Sequence, residues 1–154
     1  MKLFTENYFF LTSYPKLVSG DELFKYLTDS GSTYKIIYKG KLIGLAYYKA
    51  FNPYYVFLKF MVKQGEAPKH LVFQSFKHFI SIIRENIETV LRLETIVFAF
   101  DRTDRAFIRK AGFKYEIEKK MDIFKGNRFW SSLVYSLIGE EIDEFLLKGD
   151  KNGQ

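Results

Sequence analysis

Few side chains in this sequence are equipped for chemistry. Cysteine is absent and histidine occurs twice, at His70 and His78. That excludes a thiol nucleophile and a thiolate metal site, and it leaves no ligand set for a histidine-based metal centre. What remains are ammonium groups, carboxylates and phenols beside apolar runs. Lys59 is the sole charge in the run Tyr54–Val62 (YYVFLKFMV). An ammonium there is no base unless burial lowers its pKa. Its long stem is expected to carry the charge to a cleft rim, with contact to a ligand as the alternative. Asp101 follows a second apolar run and suits a helix N-cap, whose carboxylate accepts from amides of the first turn. Arg105 and Arg109, four residues apart, share one face of the same helix.

The elements that must position these groups are readable from periodicity. Asn7–Tyr14 (NYFFLTSY) is aromatic, is bounded by Pro15 and predicts a strand. Ser19 to Glu22 (SGDE) has the spacing of a capping box, opening a short helix through Leu23, Phe24 and Leu27 that Gly31 can stop. Tyr34–Tyr38 and Lys41–Tyr48 predict a hairpin turned at Lys39-Gly40. Gly44 inside its second strand predicts a bulge or a close backbone contact. Tyr54–Val62 reads as a strand buried on both faces. From Pro68, the spacing of Val72, Phe76, Phe79, Ile80, Ile83 and Ile87 predicts a long amphipathic helix. Thr95–Phe100 predicts another buried strand, and a short helix follows from Asp101 to the stop at Gly112. Lys114–Phe124 and Arg128–Ile138 predict a second hairpin, and about Glu140–Leu147 a last acidic helix.

A buried strand, a long helix and another buried strand imply a parallel crossover. The hairpins imply antiparallel pairing around it. The predicted class is α/β, with a central mixed sheet flanked by helices. At 154 residues the chain accommodates one domain, expected over residues 1–148, with 149–154 as a flexible polar tail. Hydrophobic residues make up 47% and aromatics 19%, which suits a sheet-heavy core. No apolar run is long enough for a signal peptide or a membrane span, so a cytoplasmic setting is expected. The formal net charge of +6 suits polyanions such as a polyphosphate cofactor, or simply a lysine-solvated surface. No Lys/Arg block is dense enough to read as a nucleic-acid arm.

Three stretches carry a family resemblance. They are Tyr54–Val62 with its loop and the helix from Pro68, Asp101–Phe113 (DRTDRAFIRKAGF), and Phe129–Glu141 (FWSSLVYSLIGEE). Together they resemble the GNAT N-acetyltransferase superfamily, and within it the branch that acetylates ribosomal-protein N-termini. The resemblance implies two parallel strands that splay apart. The backbone of the first, at Phe60, Met61 and Val62, would pair with the pantetheine arm of acetyl-CoA. The loop from Lys63 and the helix amides at Lys69, His70 and Leu71 would receive the pyrophosphate. It further implies that Asp101 helps hold the pantetheine and that Arg105 meets cofactor phosphates or solvent. From their types and places in the sequence, Tyr115 is the candidate general acid, with packing on its strand as the alternative, and Glu94 the candidate general base, with surface charge as the alternative. No metal is implied. The acceptor is an amine of a protein or small molecule, and a homodimer is compatible with the family.

The sequence departs from the family pattern in two places. The loop glycines that let phosphate approach the backbone are replaced in Ala67–Val72 (APKHLV), where His70 and Val72 would crowd the anion and Glu66 opposes its charge, with Lys63 and Lys69 as the offset. The tyrosine that protonates the leaving thiolate is replaced by Ile108. Two functions therefore stand: an acetyl-CoA-dependent N-acetyltransferase, and a catalytically degenerate module of the same fold that binds CoA or a partner without turnover. An unrelated α/β binding domain facing nucleic acid is a third.

Overall fold

The computed structural model describes residues 31–148. The expected strand at Asn7–Tyr14, the capping box at Ser19, its helix and the polar tail from Gly149 lie outside the described residues. The order is β1 (Ser32–Tyr38), β2 (Lys41–Asn52), β3 (Tyr55–Val62), α1 (Lys69–Asn86), β4 (Arg92–Phe98), α2 (Arg102–Lys110), β5 (Lys114–Lys125), β6 (Arg128–Ile138) and α3 (Glu140–Leu147). The strands form one mixed sheet in the order β1-β2-β3-β4-β6-β5. β3 and β4 are its parallel pair, and the other neighbours run antiparallel.

Turn chemistry sets the hairpins. Lys39 and Gly40 both take positive φ (50° and 74°), as do Gly126 and Asn127 (60° and 59°), the twist that a two-residue hairpin loop needs. β2 runs to Asn52, four residues beyond the expected end at Tyr48. It stops there because Asn52 Oδ1 accepts from the amides of Tyr54 (2.8 Å) and Tyr55 (2.9 Å), a side-chain turn that competes with the ladder. At Gly44 the expected close approach is present. The register with β1 slips beside it, and a Cβ built there would lie 2.2 Å from the Met61 carbonyl oxygen.

The helices bury their apolar faces in one cluster. Phe76, Phe79, Ile80 and Ile83 of α1 pack with Ile108 of α2 and with Ile142 and Phe145 of α3. They meet Val56, Leu58, Leu93, Val97, Tyr135 and Leu137 from the sheet. Asp101 caps α2 by accepting from the Asp104 amide at 2.9 Å, and Gly112 (φ 90°) follows its end. No helix among the described residues is long and apolar enough to cross a membrane.

Candidate functional site

The parallel pair at the centre of the sheet is incomplete. β3 and β4 pair at Tyr55↔Arg92, Val56↔Leu93 and Phe57↔Glu94, and no pair follows. Each strand stays in register with its outer neighbour, β3 with β2 as far as Gly44↔Val62 and β4 with β6 as far as Phe98↔Ser132. The two strands therefore diverge toward their C-terminal ends.

Hydrogen-bond parity identifies the groups that face the opening. The Lys63 amide donates to Ile43 O at 2.9 Å. Lys63, Met61 and Lys59 thus turn their backbone toward β2, while Leu58, Phe60 and Val62 turn theirs toward β4. On β4 the Ala99 amide donates to Ser131 O, and the Arg92 amide to Tyr54 O, both at 2.9 Å. Glu94, Ile96 and Phe98 accordingly face β3. In an unbroken ladder the Phe60 N–H would bond Ile96 O. Instead the Lys59 ammonium donates to Ile96 O, and the Phe60 N–H is left facing the opening without a strand partner.

Lys59 is 7% exposed, so it does not reach a rim as its stem length suggested. Its Nζ lies 5.0 Å from the centroid of the Phe98 ring. Burial lowers its pKa below the ordinary lysine value, and the charges of Asp104 and Asp101 pull it back upward. Burial in turn pushes the Asp104 carboxyl up to about 6, with Lys59 opposing and Asp101 adding to the rise.

The opening leads into a cleft of about 700 Å³ between the end of β3, the loop after it, the start of α1 and one side of α2. Phe60, Val62, Lys63, Lys69 and Asp101 line it, five of the residues to which the sequence assigned cofactor contact. The side chains of the other four do not line it. Met61 is buried, its side chain on the strand face opposite to that of Phe60. His70 lines a smaller depression of about 350 Å³ between α1 and α3, so its ring does not crowd the cleft. The Leu71 amide already donates to Pro68 O at 3.1 Å. Arg105 is half-buried, and its Nε lacks a hydrogen-bond partner.

Neither residue assigned to proton transfer is brought to the cleft. Glu94 lies on the part of β4 that still pairs with β3, held by Arg92 Nη2 at 2.6 Å. Tyr115 is on the edge strand β5, 54% exposed, its ring against Tyr135 at 5.9 Å. Ile108 is buried in the core.

Gly65, which in the sequence sits too early for the family's loop register unless the loop is shifted, lines the cleft and takes a positive φ of 78°, a role that glycine fills without strain. Other lining groups escaped the sequence reading. Asp104 stands at the third position after the Asp101 cap, where an acidic residue is itself a helix-start signal. Lys110 also lines the cleft, its Nζ 5.0 Å from the Phe73 centroid. Glu66 does not set its charge against the helix start unopposed. Lys41 holds it at 2.9 Å and Lys63 at 3.4 Å, and the Lys41 hydrogen bond keeps its carboxyl below the usual range. α1 has no acidic residue in its first turn, so the positive end of its dipole is uncompensated.

No family model matches the sequence, and no curated protein matches it. Solved structures do match. The ribosomal-protein-alanine N-acetyltransferase of Brucella melitensis superposes with a TM-score of 0.65 at 20% identity, covering 80% of this chain and 81% of that one. A GNAT family acetyltransferase from Elizabethkingia anophelis, solved with acetyl-CoA bound, gives 0.63 at 16% identity over 77% and 83%. The ribosomal α-N-protein acetyltransferase RimL, in complex with coenzyme A, gives 0.67 at 13% identity over 82% and 77%. At these identities the likeness is one of fold. With its mixed sheet, its splayed parallel pair and the helix that starts beside the splay, this chain has the GNAT acetyltransferase fold.

Proposed function

We propose that the cleft binds acetyl-CoA and that the chain passes the acetyl group to an amine of a protein or a small molecule. The observation that carries the reading is the Phe60 N–H, a strand donor without a ladder partner facing a cleft whose far end is a bare helix N-terminus. The residues present fit a pantetheine pyrophosphate. The β3 backbone at Phe60 offers strand-like pairing to an amide-bearing arm. The amides that open α1, at Lys69 and His70, precede the helix's own acceptors and favour an anion. Lys63, Lys69 and Lys110 add positive charge, and Lys41 draws off the charge of Glu66. When bound, the thioester supplies an activated acyl group. The chain's own contribution is orientation of that group against the amine, a large term in bimolecular transfer, and polarisation of the acyl oxygen by a fixed backbone donor.

A second reading rests on a specific observation. Ile108 fills the core where the resemblance calls for a tyrosine acid, and Glu94 and Tyr115 stand away from the cleft. A protein of this kind binds CoA without turnover. Titration calorimetry with acetyl-CoA and CoA, followed by thiol release over an amine panel, separates the two. Binding with turnover supports the transferase, and binding without turnover supports the module. No heat and no thermal shift at saturating cofactor overturns both.

A further inference from the structure

The depression of about 350 Å³ between α1 and α3 adjoins the cleft and shares Phe73 and Lys110 with it. The cofactor reading makes no use of it. Its volume falls at the lower end of the range that holds small ligands. Its lining is of two kinds. Ala111, Leu137 and Phe145 are buried apolar side chains, and with Phe73 they make an apolar floor. The Phe73 and Phe145 rings meet at 78° with centroids 6.0 Å apart. That edge-to-face corner is one against which a further flat ring packs.

The rest of the lining is charged, and the balance is positive. Lys77, Lys110, Lys114 and Lys148 stand there against Glu141 and Glu144. Lys114 and Glu141 pair with each other, and Glu141 also accepts from the Ile138 amide at 3.1 Å. Three ammonium groups are left against the carboxylate of Glu144. Two of them are held in place without an acid. Lys77 Nζ donates to the Lys148 carbonyl and has three N–H donors in all. Lys110 Nζ lies 5.0 Å from the Phe73 centroid. An inorganic anion would leave the floor against water, and an uncharged arene would leave the ammonium groups unmatched. A ligand that joins both characters satisfies both parts of the lining.

We propose that this depression is a second ligand site, which takes a small monocarboxylate with an aromatic body. The ring packs in the corner of Phe73 and Phe145, and the carboxylate meets Lys77 and Lys148. The inference is independent of the cofactor reading.

The test titrates 2-naphthoate into the full chain by calorimetry, with 2-naphthamide as its uncharged counterpart, and follows the backbone N–H signals by NMR. One 2-naphthoate is expected per chain, with a dissociation constant at or below about 1 mM. The uncharged counterpart is expected to bind about fivefold more weakly or worse. The NMR shifts should gather at His70, Ala111, Gly112 and Phe145. Lys77→Gln combined with Lys148→Gln should weaken 2-naphthoate by about tenfold and leave 2-naphthamide unchanged. The shifts and the comparison of the two compounds use the unaltered protein, so they decide the matter even where the double variant fails to fold. Absence of binding, equal binding of the uncharged counterpart, or an undiminished affinity in the folded double variant overturns the inference. Shifts that gather instead at Gly65, Arg102 and Thr103, in the larger cleft, overturn it as well. None of these outcomes bears on whether that cleft holds CoA.

Discussion

At the scale of single residues, Asp104 carries a pH signature. Its folded pKa, about 6, lies above the ordinary aspartate value of about 3.9. Between those values the native state binds the proton more tightly than the unfolded chain, so stability falls as pH rises through the window and levels off above it. Asp104→Asn removes that slope. Relative to its effect at pH 4, the substitution is expected to stabilise by roughly 1–2 kcal/mol at pH 7, read from denaturant midpoints. A difference that is flat between pH 4 and 7 would show Asp104 to be solvated as an ordinary carboxylate. Gly44 makes a steric prediction. A methyl group there meets the Met61 carbonyl oxygen at 2.2 Å and the Val62 Cα at 3.0 Å, both β3 backbone, which cannot yield as the end of a side chain would. Gly44→Ala is expected to destabilise by about 2–4 kcal/mol, measured by chemical denaturation. A loss of about 0.5 kcal/mol or less would mean that β2 and β3 can move apart freely.

At the scale of elements, legibility in the sequence follows what each feature depends on. Strands, helices and turns rest on local periodicity and turn chemistry, so the two hairpins, the long helix α1 and the cap at Asp101 could be read directly, although Pro68 precedes α1 instead of opening it. β2 ended late because Asn52 uses its side chain to make the turn, a local competition that hydrophobic alternation does not register. The splay is different in kind. It is a pairing that stops, and the apolar run Tyr54–Val62 has the same appearance whether its last residues find a neighbour or not. Only the resemblance anticipated it. Lys59 was misjudged for the same reason, since a lysine in an apolar run ordinarily escapes to a rim, whereas here the diverging strands leave a carbonyl for it inside. Glu94 and Tyr115 were assigned by type and neighbourhood in sequence, and strand order then separated them from the cleft. The start of α1 makes the prediction at this scale. Lys69 is exposed and carries no structural burden, so Lys69→Glu should change stability by less than about 0.5 kcal/mol. It sets a negative charge against the helix dipole and an anionic ligand, and should weaken CoA affinity by about tenfold in calorimetry. Unchanged affinity would move the pyrophosphate away from this helix.

At the scale of the whole molecule, the formal net charge of +6 admits two accounts, a lysine-solvated surface or a field that draws an anion to the cleft. They differ in kinetics. Steering acts over the distance at which charges see each other, about 10 Å at 0.1 M ionic strength and about 3 Å at 1 M. An anion that is steered binds more slowly as salt is added, while its departure from short-range contacts changes little. The cleft is lined by Lys63, Lys69, Arg102 and Lys110, against which stand Asp101 and Asp104. The local balance therefore shares the sign of the whole. Stopped-flow association of a fluorescent CoA analogue is expected to slow by about tenfold between 0.02 and 0.5 M salt, with the dissociation rate nearly constant. Lys63→Ala combined with Lys110→Ala should flatten that dependence, whereas removing two lysines on the far edge, Lys119→Ala with Lys120→Ala, should leave it steep. If both double variants alter the slope equally, the field is that of the net charge alone and the lysines at the cleft have no directing role. If neither variant alters it and the unaltered chain shows no salt dependence, the basic composition serves solvation. The positive end of α1 would then be left to hold the anion through its amides alone.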